Sequence, residues 1–179
     1  SRDFKNIVWP VFSEWLGGGK IIPIETIMDS KFCELLDMTA GIDAWQIINF
    51  KGIRGIASRI QWGKTNWRSW TIRYEKKSGY DTEFQRLTNN DKTLLKATYH
   101  IQAYIDKKRG KLLGAACIKT EDLIDMLNKD IYGILLKNPQ DNTLFIPVWW
   151  SSAKRNGYDV FIYNSNENQQ LRLNYKVEK

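Results

Sequence analysis

Histidine and cysteine are nearly missing from this chain, and their scarcity excludes more chemistry than any motif adds. Among 179 residues there are one histidine, His100, and two cysteines, Cys33 and Cys117. A Cys/His zinc site draws several such ligands from short spacings, and no such spacing occurs. A Ser-His or Cys-His mechanism would have to rest on His100 alone. Long hydrophobic runs are lacking too, and none approaches the roughly 18 apolar residues of a membrane span. The opening Ser1-Arg2-Asp3 carries no charged-then-apolar signal pattern. No internal repeat, low-complexity tract or linker interrupts the chain. The expectation is a soluble, cytoplasmic domain with no membrane contact. The chemistry left open is that of carboxylates, lysines and bound metal.

Aromatic residues are plentiful, with eight Trp, eight Tyr and seven Phe in a chain that is 42% hydrophobic. That is a folding composition, and the length suits a single domain over 1–179 with a real core. The net charge of +7 favours an anionic partner, but how the charge is distributed matters more than its sum.

Periodicity predicts a helix over 3–16, where Phe4, Ile7, Val8, Val11, Phe12 and Trp15 recur at helical spacing. Asp3 is placed to cap it, Pro10 to break or kink it near Trp9, and Gly17-Gly18-Gly19 to stop it. A short strand or extended connector over 20–28 and a helical turn or short helix over 29–38 follow. Beyond Gly41 the pattern turns β-rich, with strands over 42–50 and 53–62 joined by a hairpin at Lys51-Gly52. A third strand over 67–74 sets Trp70, Ile72 and Tyr74 against Ser69, Thr71 and Arg73. Thr82 opens a helix to about 96, and strands over 99–105 and 111–118 flank Lys107-Lys108-Arg109-Gly110. Thr120 begins a helix to 127, strands over 144–150 and 158–163 follow, and the tail from Asn164 is polar. The expected fold class is α/β, with a central mixed β-sheet flanked by helices.

Residues 51–77 hold eight cations, Lys51, Arg54, Arg59, Lys64, Arg68, Arg73, Lys76 and Lys77, against one acid, Glu75. Trp62, Trp67, Trp70 and Tyr74 are interleaved with them. Lys and Arg neutralise phosphates, and aromatic faces stack on unpaired bases. A merely solvated strand face normally mixes charge signs. Nucleic acid is therefore the expected partner.

Asp43 follows Gly41-Ile42 at the entrance of one predicted strand, and Gln61 lies on the next. On adjacent strands the two side chains could converge on one cation, because Mg²⁺ needs only one or two carboxylates besides waters and phosphate oxygens. Asp37 is a further acid before that strand, with a turn or cap role as its alternative. His100 and Gln102 share strand parity and could line a cleft.

These features resemble the PD-(D/E)XK nuclease superfamily, the restriction-endonuclease-like fold. Its core runs helix, three strands, helix, strand, with an acid at one strand's start and a (D/E/Q)-x-K on the next. The resemblance covers about 3–105 and leaves 106–179 as a C-terminal strand and helix extension. It implies metal-dependent hydrolysis of DNA phosphodiesters with Mg²⁺ or Mn²⁺, and Asp43, Glu14 and Gln61 as ligands. Lys64 would assist catalysis, and Arg54, Arg59, Arg68, Arg73, Lys76 and Lys77 would hold the backbone. Gly63 stands where the family has lysine, so either a bulge brings Lys64 into line or the motif is Arg59-Ile60-Gln61 without a lysine. A nuclease-fold binding module without activity is the alternative, with a homodimer or a protein partner left open. A protein-interaction domain using Trp149-Trp150 is a third.

Overall fold

The computed structural model describes residues 2–26, 29–48, 52–75, 81–89, 91, 95–138 and 141–165. The first apolar stripe forms a π-helical turn, Phe4–Val8, that runs into helix α1, Trp9–Ser13. Pro10 sits in the first turn of α1, where a missing N–H costs least, so the predicted break is a change from π to α winding. Asp3 makes no cap, and its Oδ2 instead accepts a hydrogen bond of 3.1 Å from Trp62 Nε1. Gly17, Gly18 and Gly19 then turn the chain with φ of 84°, 73° and 88°. At Gly19 a Cβ would lie 2.2 Å from the Ile47 carbonyl oxygen, so only glycine fits.

Strand β1, Lys20–Pro23, leads through a 3₁₀ turn, Ile24–Thr26, and helix α2, Ser30–Ala40, to β2, Ala44–Ile48, and β3, Gly52–Gly63. Lys51, at the expected hairpin, lies outside the described residues. Strand β4, Ser69–Glu75, leaves the sheet, and helix α3, Glu83–Thr88, returns the chain to it. A reciprocal capping box, Thr82 with Gln85, starts α3. The helix ends at Thr88 and does not reach 96. Asn89 turns extended there, and Lys96 Nζ donates to the carbonyls of Leu87 and Asn89, at 3.1 and 2.8 Å.

Strands β5, Tyr99–Asp106, and β6, Lys111–Lys119, follow, then helix α4, Thr120–Asn128. The chain closes with β7, Leu136–Lys137, β8, Leu144–Trp149, helix α5, Trp150–Arg155, and β9, Val160–Asn164. Trp150 starts a helix where a strand end is predicted. Its N–H donates to the Arg68 carbonyl at 3.0 Å, and its buried indole packs against Trp70 and Tyr104.

Six strands form one mixed sheet in the order β1-β2-β3-β5-β6-β9, in which β3 and β5 are parallel and the other neighbours antiparallel. A second, antiparallel sheet has the order β4-β8-β7. The fold is thus mixed α/β, with a multistranded sheet flanked by helices. Residues after 105 supply β6 and β9 to the main sheet itself.

Strand alternation gives that sheet two different faces. On one, Ile56, Ile101, Ala103, Ile105, Ala115 and Cys117 pack beneath Phe4, Val8 and Phe12 of the N-terminal helix. Gln46, fully buried, donates through Nε2 to the carbonyls of Leu16 and Gly18, at 2.9 and 2.8 Å, and so ties the glycine turn to β2. On the other face Tyr104, Ala116 and Ile118 pack against Trp70, Ile72, Ile146, Val148 and the helices α4 and α5. This second core stops short of β3, where Ala57 joins a small third cluster with Leu36 and Ile42 and the next residues on that face, Arg59 and Gln61, are polar. Among the described residues, no helix is long and apolar enough to cross a membrane.

Candidate functional site

The open end of the second face forms a cavity of about 510 Å³ between the edge of β2, strands β3 and β5, β4, and helix α3. Asp43, immediately before β2, lines it. The register Ala44↔Ile56 sets Asp43 beside β3, where its Oδ2 accepts from the Ser58 N–H at 2.5 Å. Its backbone is held as well, with N–H donating to Ile56 O at 2.9 Å and O accepting from Ile24 N–H at 3.1 Å. A carboxylate bonded to β3, on a backbone held by β3 and the 3₁₀ turn, is preorganised, which a surface aspartate is not.

Arg59 projects from β3 into the same cavity. Its Nη2 donates to Glu83 Oε2 at 2.7 Å, and its Nη1 bonds the Thr71 carbonyl of β4. The capping box fixes Glu83 in the first turn of α3. Burial pushes its carboxyl up, but Arg59, with His100, the Arg73 N–H and Arg86, more than offsets this and holds it below the usual carboxylate value. Glu83 is therefore an anion near neutral pH. Arg86, one turn on, donates to Met38 O and joins α3 to α2.

His100 faces the cavity from β5, with Nδ1 and Thr120 Oγ1 3.0 Å apart. This bond, and not a side-chain cap, is where the Thr120 hydroxyl goes at the start of α4. Burial holds His100 down to about 4, Glu83 pulling upward and Arg59 and Arg86 pushing further down, so the ring is neutral at physiological pH. Beside it, buried Gln102 accepts from Thr71 N–H and Oγ1, at 3.4 and 3.3 Å, and its Nε2 has no partner among the described residues. Glu34, Asp43, Asp81 and Glu83 thus share the lining with Arg59, Arg73, Arg86 and Lys96. A mixed lining of this kind can hold a cation on the carboxylates and a phosphate on the guanidinium and ammonium groups.

The residues expected from sequence separate into groups. Asp43, Arg59 and Arg73 meet at the cavity, as do His100 and Gln102. Gln61, two residues beyond Arg59 on the same face, lines an adjoining cavity and donates to Thr71 Oγ1 at 3.4 Å. Glu14 is exposed at the end of α1, on the opposite face of the sheet, so Asp43, Glu14 and Gln61 are not brought to one point. The β3–β5 register runs unshifted to Gly63↔Asp106, so no bulge moves Lys64, which is exposed beyond the strand end and lines neither cavity. Arg54 also points to the helix side, 3.4 Å from Leu16 O and over the Tyr99 ring. Arg68 is exposed in the β3–β4 connection with φ of 53°. Lys76 and Lys77 lie outside the described residues. Trp150 is core, while Trp149 lines the adjoining cavity.

Glu83 and Arg86 were not singled out in the sequence. Thr82 marks the helix start, but nothing local indicates that α3 lands over β3. Among the described residues, no group of three or more His, Cys, Asp or Glu side chains could hold a metal ion. Mg²⁺ is commonly held by one or two carboxylates together with substrate phosphates, and of the carboxylates lining the cavity Glu83 is paired with Arg59. No family model, curated protein or solved structure matches the chain.

Proposed function

We propose that this domain is a divergent restriction-endonuclease-like protein that binds DNA through its phosphates and hydrolyses phosphodiesters with Mg²⁺ or Mn²⁺. The observation that carries this reading is Asp43, fixed against β3 in the lining of a cavity that also holds Arg59, Arg73, Arg86 and Lys96. The chain order supports it: helix, three antiparallel sheet strands, helix α3, then β5 parallel to β3. Helix α2 and the second sheet are additions to that order.

Asp43 and Glu83 would hold the metal, which when bound supplies Lewis-acid charge and a more acidic water. Arg59, braced by Glu83 and Thr71, and Arg73 and Arg86 hold the phosphate and offset charge that develops on its oxygens. These contacts fix position without reading sequence.

A specific observation favours a second reading, a binding module without activity. No lysine reaches the cavity from β3, and Lys96 is engaged with the carbonyls of Leu87 and Asn89.

Incubation of plasmid and single-stranded DNA with Mg²⁺ or Mn²⁺, comparing wild type with Asp43→Ala, separates the readings. Cutting that needs metal and disappears in Asp43→Ala is the expected result. Metal-dependent cutting that survives the substitution removes the site assignment. Binding that weakens steeply with salt, without cutting, leaves the binding module. A protein that neither cuts nor binds at low salt ends the nucleic-acid reading.

A further inference from the structure

Beside the first cavity lies a second, of about 380 Å³, with Arg59, Thr71 and Arg73 in the wall common to both. Its volume falls within the roughly 300–1,000 Å³ typical of small-ligand sites. Its character differs from the first. One face of the second sheet presents Phe145, Pro147 and Trp149, and Trp67 closes the side from the β3–β4 connection.

Trp67 is 60% exposed, yet the connection that carries it is anchored on both sides. Asn66 Nδ2 donates to Leu113 O at 3.4 Å, and Asn66 Oδ1 accepts from Arg68 N–H at 3.1 Å. Arg68 O in turn accepts from Trp150 N–H at 3.0 Å. Asn66 reaches β6 only because position 114 is glycine, since a Cβ there would lie 2.1 Å from Asn66 Nδ2. The anchored backbone holds the indole at the cavity's side, so binding there need not order the connection. Gln61 adds an amide whose Oε1 bonds no described residue, and Lys137 adds a cation.

We infer that this cavity takes the base of an unpaired nucleotide whose backbone phosphate lies in the first cavity. This deepens the proposed function and rests on it, and it makes single-stranded or locally unpaired DNA the substrate class. The aromatic walls offer a face to stack on, Gln61 offers hydrogen bonds to a base edge, and the common arginines sit where base and phosphate of one nucleotide would meet. A protein partner docking on Trp67 and Trp149 fits less well, because Arg59, Arg73, Lys137 and Asp141 line the cavity with the aromatics and interface cores are depleted of charge.

Fluorescence anisotropy without divalent metal, at low salt, tests this with three labelled ligands: a short oligothymidylate, an abasic oligomer of equal length, and a blunt duplex. Wild type is expected to bind the oligothymidylate more tightly than either of the others. Trp67→Ala is expected to weaken oligothymidylate binding about 5- to 140-fold, the span of one base–aromatic stack of about 1–3 kcal/mol at 1.4 kcal/mol per tenfold. Its affinity for the abasic oligomer should not change, and Trp67→Phe should keep most of the preference. Equal binding of the base-bearing and abasic strands, or equal loss of both in Trp67→Ala, overturns the base subsite and leaves the phosphate reading standing. Failure of wild type to bind any of the three overturns both.

Discussion

The two faces of the six-stranded sheet are built from alternate residues of the same strands, yet they serve different ends. Along β3 and β5, Ile56, Ile101, Ala103 and Ile105 turn to the N-terminal helix and disappear into a closed apolar layer. Their neighbours Arg59, Gln61, His100 and Gln102 turn the other way, towards two open cavities. A single-residue shift in register would exchange the two sets, so the apolar face fixes the polar row in place. One face supplies stability and by doing so positions the other.

The largest expected effect lies on the closed face. Phe12 is fully buried, with its ring 5.4 Å from that of Phe161. Phe12→Ala should cost about 3–5 kcal/mol in chemical denaturation while leaving oligonucleotide affinity unchanged in folded protein. A loss of affinity at constant folded fraction would break the proposed division between faces.

On the open side, Glu83→Gln should cost about 1–3 kcal/mol, because it leaves Arg59 without its charged acceptor. A pH series sharpens this. His100 takes its proton near 6.5 when unfolded and only near 4 when folded, so the unfolded state binds more protons in between. Glu83, depressed in the fold, acts in the same direction below its unfolded value of 4.5. Stability should therefore fall as pH drops from about 6.5 towards 4, and His100→Gln should flatten the upper part of that fall. Denaturation midpoints that stay level across that range would show that His100 is not held neutral by the fold.

The smallest effect on stability should come from Trp67→Ala, within about 0.5 kcal/mol, because the side chain is mostly exposed. Gly114→Val should instead displace Asn66 and the connection behind Trp67, and so reduce oligothymidylate preference without touching any lining residue. An unchanged preference in that variant would separate Trp67 from its anchor.

Much of the fold was legible in local pattern. Ile56 through Trp62, Trp70 with Ile72, and the 99–119 strand pair announce themselves by alternation, and Thr82 by its capping chemistry. Asp43 was legible as an acid before a strand. Less visible was what depends on distant packing. Nothing near Trp67 indicates that β4 leaves for a second sheet, so Gln61 and Asp43 could not be seen to face different cavities. Glu14 follows the last residue of α1, short of the expected end at 16, and which face that helix covers is decided by the contacts of Phe4, Val8 and Phe12. Tyr74 alternates with the core residues of β4 and yet is 42% exposed, packed on Phe84, where the β4–β8 register shifts between Arg73 and Glu75.

The parallel pairing of β3 with β5 has a kinetic consequence. Neighbouring antiparallel strands such as β5 and β6 can zip up within microseconds, roughly 1–10 μs for a hairpin. Ser58, Arg59 and Gln61 meet Ile101, Gln102 and Tyr104 only after the whole of 64–98 has looped back, a non-local closure that is entropically slow. The polar row therefore depends on closure of that crossover, because its two halves lie on strands far apart in the chain. A ligand bound there stabilises only the closed chain, so the rise in melting temperature it produces would report on the crossover itself.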